Sequence, residues 1–438
     1  MSPTLGIRLE DKNVWERRVP LTPAAVGHLA AQPDLEVQVQ RSPTRIFADA
    51  DYAAAGAQIV SDPFDADVVF AVKEIPIPLL RAGGSYVFFS HTIKGQPYNM
   101  EMLRRLMELR CNLFDYERVV DEQGRRLIFF SWFAGAAGAI DTLQAAGERY
   151  AHLGTPNPFE EVGMTYSYGG LEAAESALRA VGERIRAEGL PRAMRPFVIG
   201  IAGYGNVSRG AQHVLDWLPI VDIAPEDLPA LRAQADPPGD RIFRVVFREE
   251  HMVEPARSDG ASFELMEYFQ HPERYRSIFS KWVPHLDLMI NAIYWTEASP
   301  RLISNEQLEG WFRDHGGLRL QVVGDVSCDI GGSVECLVKS TEPDDPHFVF
   351  DPVTGRVTDG TAGRGLVMMA VDNLPCELPA EASRAFSEAL EPFVADLLRA
   401  DLSLPLEQVE LPGPIRAALI LHQGELTPDY RYMAGFLG

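Results

Sequence analysis

Short apolar runs alternate with helix-length segments from the first residues of this chain onward. Residues 5–9, 35–39, 67–72 and 85–89 read as buried strands. Residues 23–31 and 97–110 carry helical spacing, the second with Met100, Leu103, Leu106 and Met107 on one stripe. Residues 112–115 and 126–130 return to strand character. Strands interleaved with helices of about a dozen residues predict a parallel sheet covered on both faces.

Residues 133–153 are small and apolar with helical character, and a loop rich in Gly and Pro separates them from a second helix at 171–188. These two helices are expected to bridge two domains. From Arg195-Pro196 the alternation restarts, with a strand at 197–202, a helix at 206–218, and strands at 220–223, 242–247, 286–291, 318–324 and 365–371. Residues 225–240, rich in Pro and Asp, read as an exposed loop. Residues 340–360 read as a loop or hairpin turning at Asp351-Pro352-Val353-Thr354-Gly355. In the last helix, 380–400, Ala382, Phe386, Leu390, Phe393 and Leu397 form one apolar stripe. That helix is expected to pack back on the first domain. The prediction is an α/β protein of two Rossmann-like, doubly wound parallel-sheet lobes with a cleft between them. Residues 1–140 plus 375–438 form the substrate lobe, and residues 141–374 form the dinucleotide-binding lobe.

The length, 438 residues, suits two cores. The net charge of −22 sets 40 basic residues against 62 acidic ones, which argues against nucleic-acid and membrane partners. No apolar run approaches the roughly 20 residues of a membrane span. Met-Ser-Pro-Thr-Leu-Gly has no secretory pattern. The four cysteines form no Cys-x-x-Cys, so free thiols in the cytoplasm and no metal site are expected.

Dinucleotide binding needs a buried strand, a turn without side chains where the pyrophosphate approaches, and a helix whose free N–H groups begin there. Phe197-Val198-Ile199-Gly200-Ile201-Ala202 supplies the strand, Gly203 and Gly205 the turn, and Asn206-Val207-Ser208 the start of the helix. Ser208 takes the third glycine position and is small enough for close helix–strand packing. Asp222 falls about 20 residues after the first glycine, where an acidic side chain binds ribose hydroxyls and favours NAD. Arg209, Arg244 or Arg248 could instead hold the 2′-phosphate of NADP.

In the first half, Lys73-Glu74 and His91 follow predicted strands, where open α/β sheets place ligand-binding groups. Thr92, Lys94 and Gln96 share that edge, and Arg17, Arg18, Glu117 and Arg126 lie near other strand ends. Singly, each has the character of a solvated loop charge. Together, a lysine and a histidine suggest proton transfer, and the arginines suggest a carboxylate substrate.

Several segments carry a resemblance. They are Trp15-Glu16-Arg17-Arg18-Val19-Pro20-Leu21-Thr22-Pro23, Phe88-Phe89-Ser90-His91-Thr92-Ile93-Lys94, the glycine turn through Ala211, His271-Pro272-Glu273-Arg274-Tyr275, Asn291-Ala292-Ile293-Tyr294-Trp295, and Asp372-Asn373-Leu374-Pro375-Cys376-Glu377-Leu378-Pro379. Across nearly its whole length the chain resembles the lysine–2-oxoglutarate reductase half of α-aminoadipic semialdehyde synthases. It is more distantly similar to fungal saccharopine dehydrogenase and alanine dehydrogenase. The resemblance implies an NAD(P)-dependent oxidoreductase acting on CH–NH bonds, joining L-lysine and 2-oxoglutarate into saccharopine with NADP(H), or NAD(H), as cofactor. It implies Lys73 and His91 as the acid–base pair. It implies Arg18 and Arg126 as carboxylate grips, Glu74 and Glu117 as tuning or ammonium-binding carboxylates, and Lys94 and Asp372 as polar groups near the reacting centre. Asn291 and Asp372 join the glycine turn as cofactor contacts.

Two departures stand out. The saccharopine-oxidising half has no counterpart in this sequence, so the expected reaction stops at saccharopine. Where fungal relatives have a lysine shortly before the matching arginine, this chain offers Lys12 or Asn13. The alternatives are a lysine-forming NAD enzyme, a relative using another amine or keto acid, and a non-catalytic dinucleotide sensor. A homo-oligomer is compatible with each.

Overall fold

The computed structural model describes residues 2–257 and 262–437; Met1, residues 258–261 and Gly438 lie outside the described residues. The chain divides into two compact units, Met1–Phe130 with Pro379–Gly438, and Ser131–Leu378. The divisions fall at the first residues of two long helices, Ser131–His152 and Pro379–Arg399, rather than at 140 and 375. A continuous helix is one rigid element and stays with the core it packs on. Ala136, Ala137, Ala139, Ile140 and Leu143 are fully buried in the second unit's core, so the helix expected as a bridge is a core element there.

The first unit holds an eight-stranded sheet in the order Glu425–Leu426, Leu419–His422, Asn112–Asp115, Ser85–Phe88, Val68–Phe70, Thr4–Ile7, Glu36–Gln40, Gln58–Val60. The last six run parallel; Leu419–His422 runs antiparallel to Asn112–Asp115. Period-two alternation sends side chains to two cores. Val68 and Phe70 pack with Phe386, Leu390, Val394 and Leu397 of the C-terminal helix on one face. Val69 and Phe88 pack with Met100, Leu103 and Leu106 of Pro97–Glu108 on the other. The C-terminal helix thus closes the first unit through its apolar stripe.

Residues 126–130 form no strand. Asp121 accepts the N–H groups of Gln123 and Arg125, closing a local turn in which Arg126 bridges back to Val120. Local pairing wins over sheet pairing because Gly124, at φ 75°, turns the chain immediately.

The second unit's sheet runs Arg356–Asp359, His347–Asp351, Leu366–Met369, Val322–Asp325, Leu288–Asn291, Phe197–Ala202, Ile242–Phe247, Ile220–Asp222. The last six are parallel, and the first two form the hairpin read in residues 340–360. Residues 225–240 are not all loop: Leu228–Arg232 is a short helix that buries Leu228 and Leu231. Asn305–His315, not anticipated, is a helix opened by Ser304, which accepts from the Gln307 N–H while Gln307 returns a bond.

Helices Ser131–His152 and Asn206–Leu215 meet backbone to backbone. A β-carbon on Gly135 would overlap the Val207 carbonyl, and one on Gly210 would overlap the Trp132 carbonyl. This contact fixes the first turn of the helix after the glycine turn.

Candidate active-site residues

In the first unit, chain order reverses between the neighbouring strands Thr4–Ile7 and Val68–Phe70. Ligand-binding groups collect at the carboxyl ends of strands at such a switch point. The segment leaving Thr4–Ile7 carries Glu10, Glu16 and Arg18, and the segment leaving Val68–Phe70 carries Lys73 and Glu74. The next strand, Ser85–Phe88, leads to His91.

His91 is a left-handed residue at φ 51°, a costly conformation for a side chain with a β-carbon. Its neighbours impose it. Asp115 accepts from the Ser90 N–H at 3.0 Å and from the Ser90 hydroxyl, and the Asn99 amide donates to the Ser90 carbonyl at 2.9 Å. Burial pushes Asp115 up to about 6, opposed by those hydrogen bonds from Ser90. The His91 ring stacks against Phe89 with centroids 6.2 Å apart, and Nδ1 meets Glu74 Oε1 at 2.6 Å. Lys12 Nζ lies 3.2 Å from the other Glu74 oxygen. Burial works against ionisation of Glu74. The hydrogen bond and charge of His91, then the Lys12 ammonium, outweigh it and hold the carboxyl down to about 2. Lys12, rather than Asn13, therefore supplies the cation beside this carboxylate.

Lys73 is half-buried on the same edge. Burial, then the Arg18 charge, depresses its ammonium below the ordinary lysine range, while Glu16 pulls the other way. This is the direction a lysine needs to act as a base near neutral pH. Glu10 holds the Lys73 turn from behind: its carboxylate accepts from Val72 N–H at 2.7 Å and Lys73 N–H at 3.0 Å. Burial, then the Glu16 charge, raises Glu10 to about 7.

Arg18, expected to grip a substrate carboxylate, is 2% exposed and bound through Nε and Nη2 to both Glu16 oxygens, at 2.8 and 2.5 Å. Its guanidinium also covers the Phe130 ring at 4.2 Å. A buried arginine whose fork already holds a carboxylate presents little to a second one. Arg18 therefore acts on Lys73 through its charge. Arg126 is exposed and lies over the Phe89 ring at 5.7 Å, on the aromatic that stacks with His91, so it remains available to an anion. Lys94 is exposed on the loop after His91. Glu117 is half-buried at the end of Asn112–Asp115, where its charge helps raise Asp115. Sequence reasoning missed Glu10 and assigned no role to Glu16. A signal was present for both: acidic side chains on the segment that leaves the central strand.

In the second unit, Phe197–Ala202 delivers the chain to the glycine turn, and Asn206–Leu215 starts directly after Gly205. Gly203 has φ 98°, and a β-carbon there would sit 2.9 Å from the Ala292 carbonyl, so only glycine fits. A β-carbon on Gly205 would point into open space, the cradle a pyrophosphate needs. Ser208 is fully buried and Val207 half-buried, as the close helix packing demands. Asn291, at the end of the adjacent strand, donates to Asp325 at 3.0 Å and to Ser333 at 2.8 Å, and its buried Oδ1 has no hydrogen-bond partner. Burial raises Asp325 to about 6. Asp372 is exposed, three residues beyond Leu366–Met369. Turn, helix start and orphaned amide oxygen together fit a nicotinamide dinucleotide.

Asp222 does not lie where the sequence spacing put it. Its strand is not the neighbour of Phe197–Ala202; Ile242–Phe247 is inserted between them. Asp222 therefore sits one strand further out, and it binds the Arg244 guanidinium at 2.7 and 3.0 Å. Arg244, also held by Asp216 at 2.7 Å, is thereby occupied. The strand next to the turn ends at Phe247, whose carbonyl accepts the Gly203 N–H, and the residue after it is Arg248. Arg248 is exposed and lies 5.1 Å over the Tyr204 ring of the turn.

Two parallel-sheet α/β units, one carrying the Lys73, His91 and Glu74 cluster at its strand ends and one a glycine turn opening a helix, define the general class of two-unit α/β dehydrogenases. The alanine dehydrogenase/PNT N-terminal domain model matches residues 6–137, and the corresponding C-terminal domain model matches residues 257–429. Alpha-aminoadipic semialdehyde synthase of Arabidopsis thaliana is 36% identical over 444 residues, covering 98% of this chain and 41% of that protein. The mitochondrial synthase of Mus musculus is 33% identical, covering 98% and 47%. The chain thus spans less than half the length of these relatives. Saccharopine dehydrogenase [NAD(+), L-lysine-forming] of Neurospora crassa is 30% identical over 411 residues, covering 91% of this chain and 92% of that protein. The chain belongs to the alanine dehydrogenase and saccharopine dehydrogenase superfamily. Among solved structures, an L-alanine dehydrogenase aligns over 99% of this chain with a TM-score of 0.63 at 19% identity. A transhydrogenase from Sinorhizobium meliloti aligns over 97% with a TM-score of 0.53. Both share the fold. No helix among the described residues is long and apolar enough to cross a membrane.

Proposed function

We propose that this chain condenses L-lysine with 2-oxoglutarate and reduces the product to saccharopine with NADPH. The observation that carries the reading is Lys73, depressed by burial and the Arg18 charge, on the sheet edge that also holds the His91–Glu74 pair. The ε-amine of lysine adds to the keto carbon, water leaves, and the resulting imine carbon accepts a hydride. When bound, the reduced nicotinamide supplies that hydride.

In this reading neutral Lys73 takes the proton released as the amine adds. His91 uses Nε2 to protonate the departing hydroxyl, because Nδ1 is engaged by Glu74. Glu74, ionised throughout the working pH range, fixes the ring orientation. Arg126 takes a 2-oxoglutarate carboxylate; Arg18 reinforces it only as a charge. Lys94 and Glu117 border the reactants on the first unit. Gly203, Gly205, Asn206, Val207, Ser208, Asn291 and Asp372 contact the cofactor. Arg248, rather than Asp222, supports NADP(H) over NAD(H). This reading places the chain in the cytoplasm.

The test follows nicotinamide absorbance with NADPH or NADH, 2-oxoglutarate and a panel of amines. Lysine turnover is expected, falling about a hundredfold or more in Lys73→Met and His91→Ala. Turnover only with another amine sinks the substrate assignment, and cofactor binding with no turnover for any pair indicates a sensor.

A further inference from the structure

The second unit carries a cluster of positive charge that the proposed reaction does not use. Arg192, Arg195, Arg232 and Arg319 line a cavity of about 210 Å³, with Asp236 on its rim. Arg195 immediately precedes Pro196 and the strand Phe197–Ala202, and Arg319 precedes Val322–Asp325. The cavity therefore lies at the amino ends of the parallel strands. The glycine turn lies at the other end of Phe197–Ala202, roughly 20 Å away at about 3.3 Å per residue.

The hydrogen bonds separate two kinds of arginine. Arg232 is fully committed: its nitrogens donate to the His285 and Pro196 carbonyls and, at 2.6 Å, to Asp287. Arg319 Nη2 donates to the Arg195 and Pro196 carbonyls at 3.2 and 3.1 Å, and its Nε lies 3.0 Å from Asp287. These two build the wall and share one buried carboxylate. Arg195 spends only Nε, on the Leu190 carbonyl. Among the described residues no carboxylate pairs with Arg192 or Arg195. Arg192 is exposed at the cavity mouth. Burial, opposed by Asp287 and reinforced by the Arg319 charge, lowers Arg232, and burial with the Arg232 charge lowers His285.

Four guanidiniums line this cavity with Asp236 as the one carboxylate among its described lining residues, while of the four only Arg232 and Arg319 share Asp287, in a chain whose net charge is −22. Concentrating like charge there costs free energy that an anion returns. The free N–H forks of Arg192 and Arg195 match the geometry of phosphate oxygens. We infer that this cavity is an anion site, distinct from the dinucleotide cradle, that takes a phosphate-type ligand carrying two or more charges, free or as an ester.

Titration calorimetry on the full chain tests this with inorganic pyrophosphate and ribose 5-phosphate, at fixed ionic strength. Binding is expected in the native chain and at least tenfold weaker in Arg192→Ala/Arg195→Gln, with Arg192→Lys retaining most of it. Tighter binding of ribose 5-phosphate than of pyrophosphate marks an ester ligand, and the reverse marks free polyphosphate. Unchanged affinity in the double variant overturns the site, because any binding then belongs to the glycine turn. So does a signal reproduced by sodium chloride, while equal binding of citrate overturns the assignment to phosphate. A single variant, Arg192→Ala, whose side chain is exposed, keeps the test valid if the double variant unfolds.

Discussion

Asp141 and Glu377 offer a quantitative test of the second unit's core. Asp141 is fully buried in Ser131–His152, and one of its oxygens accepts from both the N–H and hydroxyl of Thr165, each at 2.8 Å. Glu377 Oε2 accepts the Tyr166 N–H at 3.1 Å. The two remaining oxygens, Asp141 Oδ2 and Glu377 Oε1, are buried with no other partner, and the carboxyls bond to each other. Two carboxylates cannot share such a contact unless one keeps a proton. Burial, then the Asp141 charge, pushes Glu377 well above the usual carboxyl range. The proton therefore contributes stability that is fully present below the unfolded value, about 4.3, and is lost as pH rises through the folded value. The loss is about 1.4 kcal/mol for each pH unit between the two. In Glu377→Gln the amide supplies a permanent N–H to Asp141, so this slope disappears. Glu377→Ala instead strands Asp141 Oδ2 and the Tyr166 N–H and costs about 1–3 kcal/mol for each unpaired group. Urea unfolding from pH 5 to 8, followed by tryptophan fluorescence, reports on this unit through buried Trp217 and Trp282. Asp325, also raised, titrates in both proteins and cancels in the difference. Identical pH slopes for the native chain and Glu377→Gln would refute the shared proton.

Glu74, held at about 2, contributes in the opposite sense: its stability is present above the ordinary carboxyl value and lost as pH falls toward 2. Glu74→Gln should flatten the acid limb of a stability–pH curve by at most about 3 kcal/mol; an unchanged limb contradicts the ion pair. Gly210→Ala forces two helix backbones apart and should cost at least about 1–3 kcal/mol in urea unfolding, whereas a change under half that means the helices do not touch there. Arg248→Ala should lower kcat/KM for NADPH about tenfold or more while sparing NADH, and Asp222→Ala should leave that ratio unmoved. A ratio that responds to Asp222 instead restores the original assignment of that residue.

Most of the fold was legible because it is written at short range. The strands at 197–202 and 112–115 and the helix at 171–188 have patterns that local burial alone decides. What local pattern cannot carry is the order of strands across a sheet. Residues 220–222 and 242–247 both read as strands, and nothing in either run says which lies beside 197–202. The misplacement of Asp222 follows from that single gap.

The cluster around Lys73 shows the same limit from the other side. The shared edge of Lys73 and His91 was legible because parallel strands aim their carboxyl ends at one edge, so two strand-end residues suffice to mark the edge, not what it does. Arg18 lies on the same edge, and its burial against Glu16 was not legible, since two charges two residues apart in a loop commonly point to solvent. The pairing changes the chemistry assigned to it. An exposed Arg18 would bind substrate directly and govern KM. Sheltered by Glu16, it acts on the Lys73 ammonium, and its removal should raise the pH at which Lys73 loses its proton. An Arg18→Met variant is therefore expected to shift the acid limb of the kcat/KM profile to higher pH; a rise in KM for 2-oxoglutarate with an unshifted profile would return Arg18 to the role of a carboxylate grip.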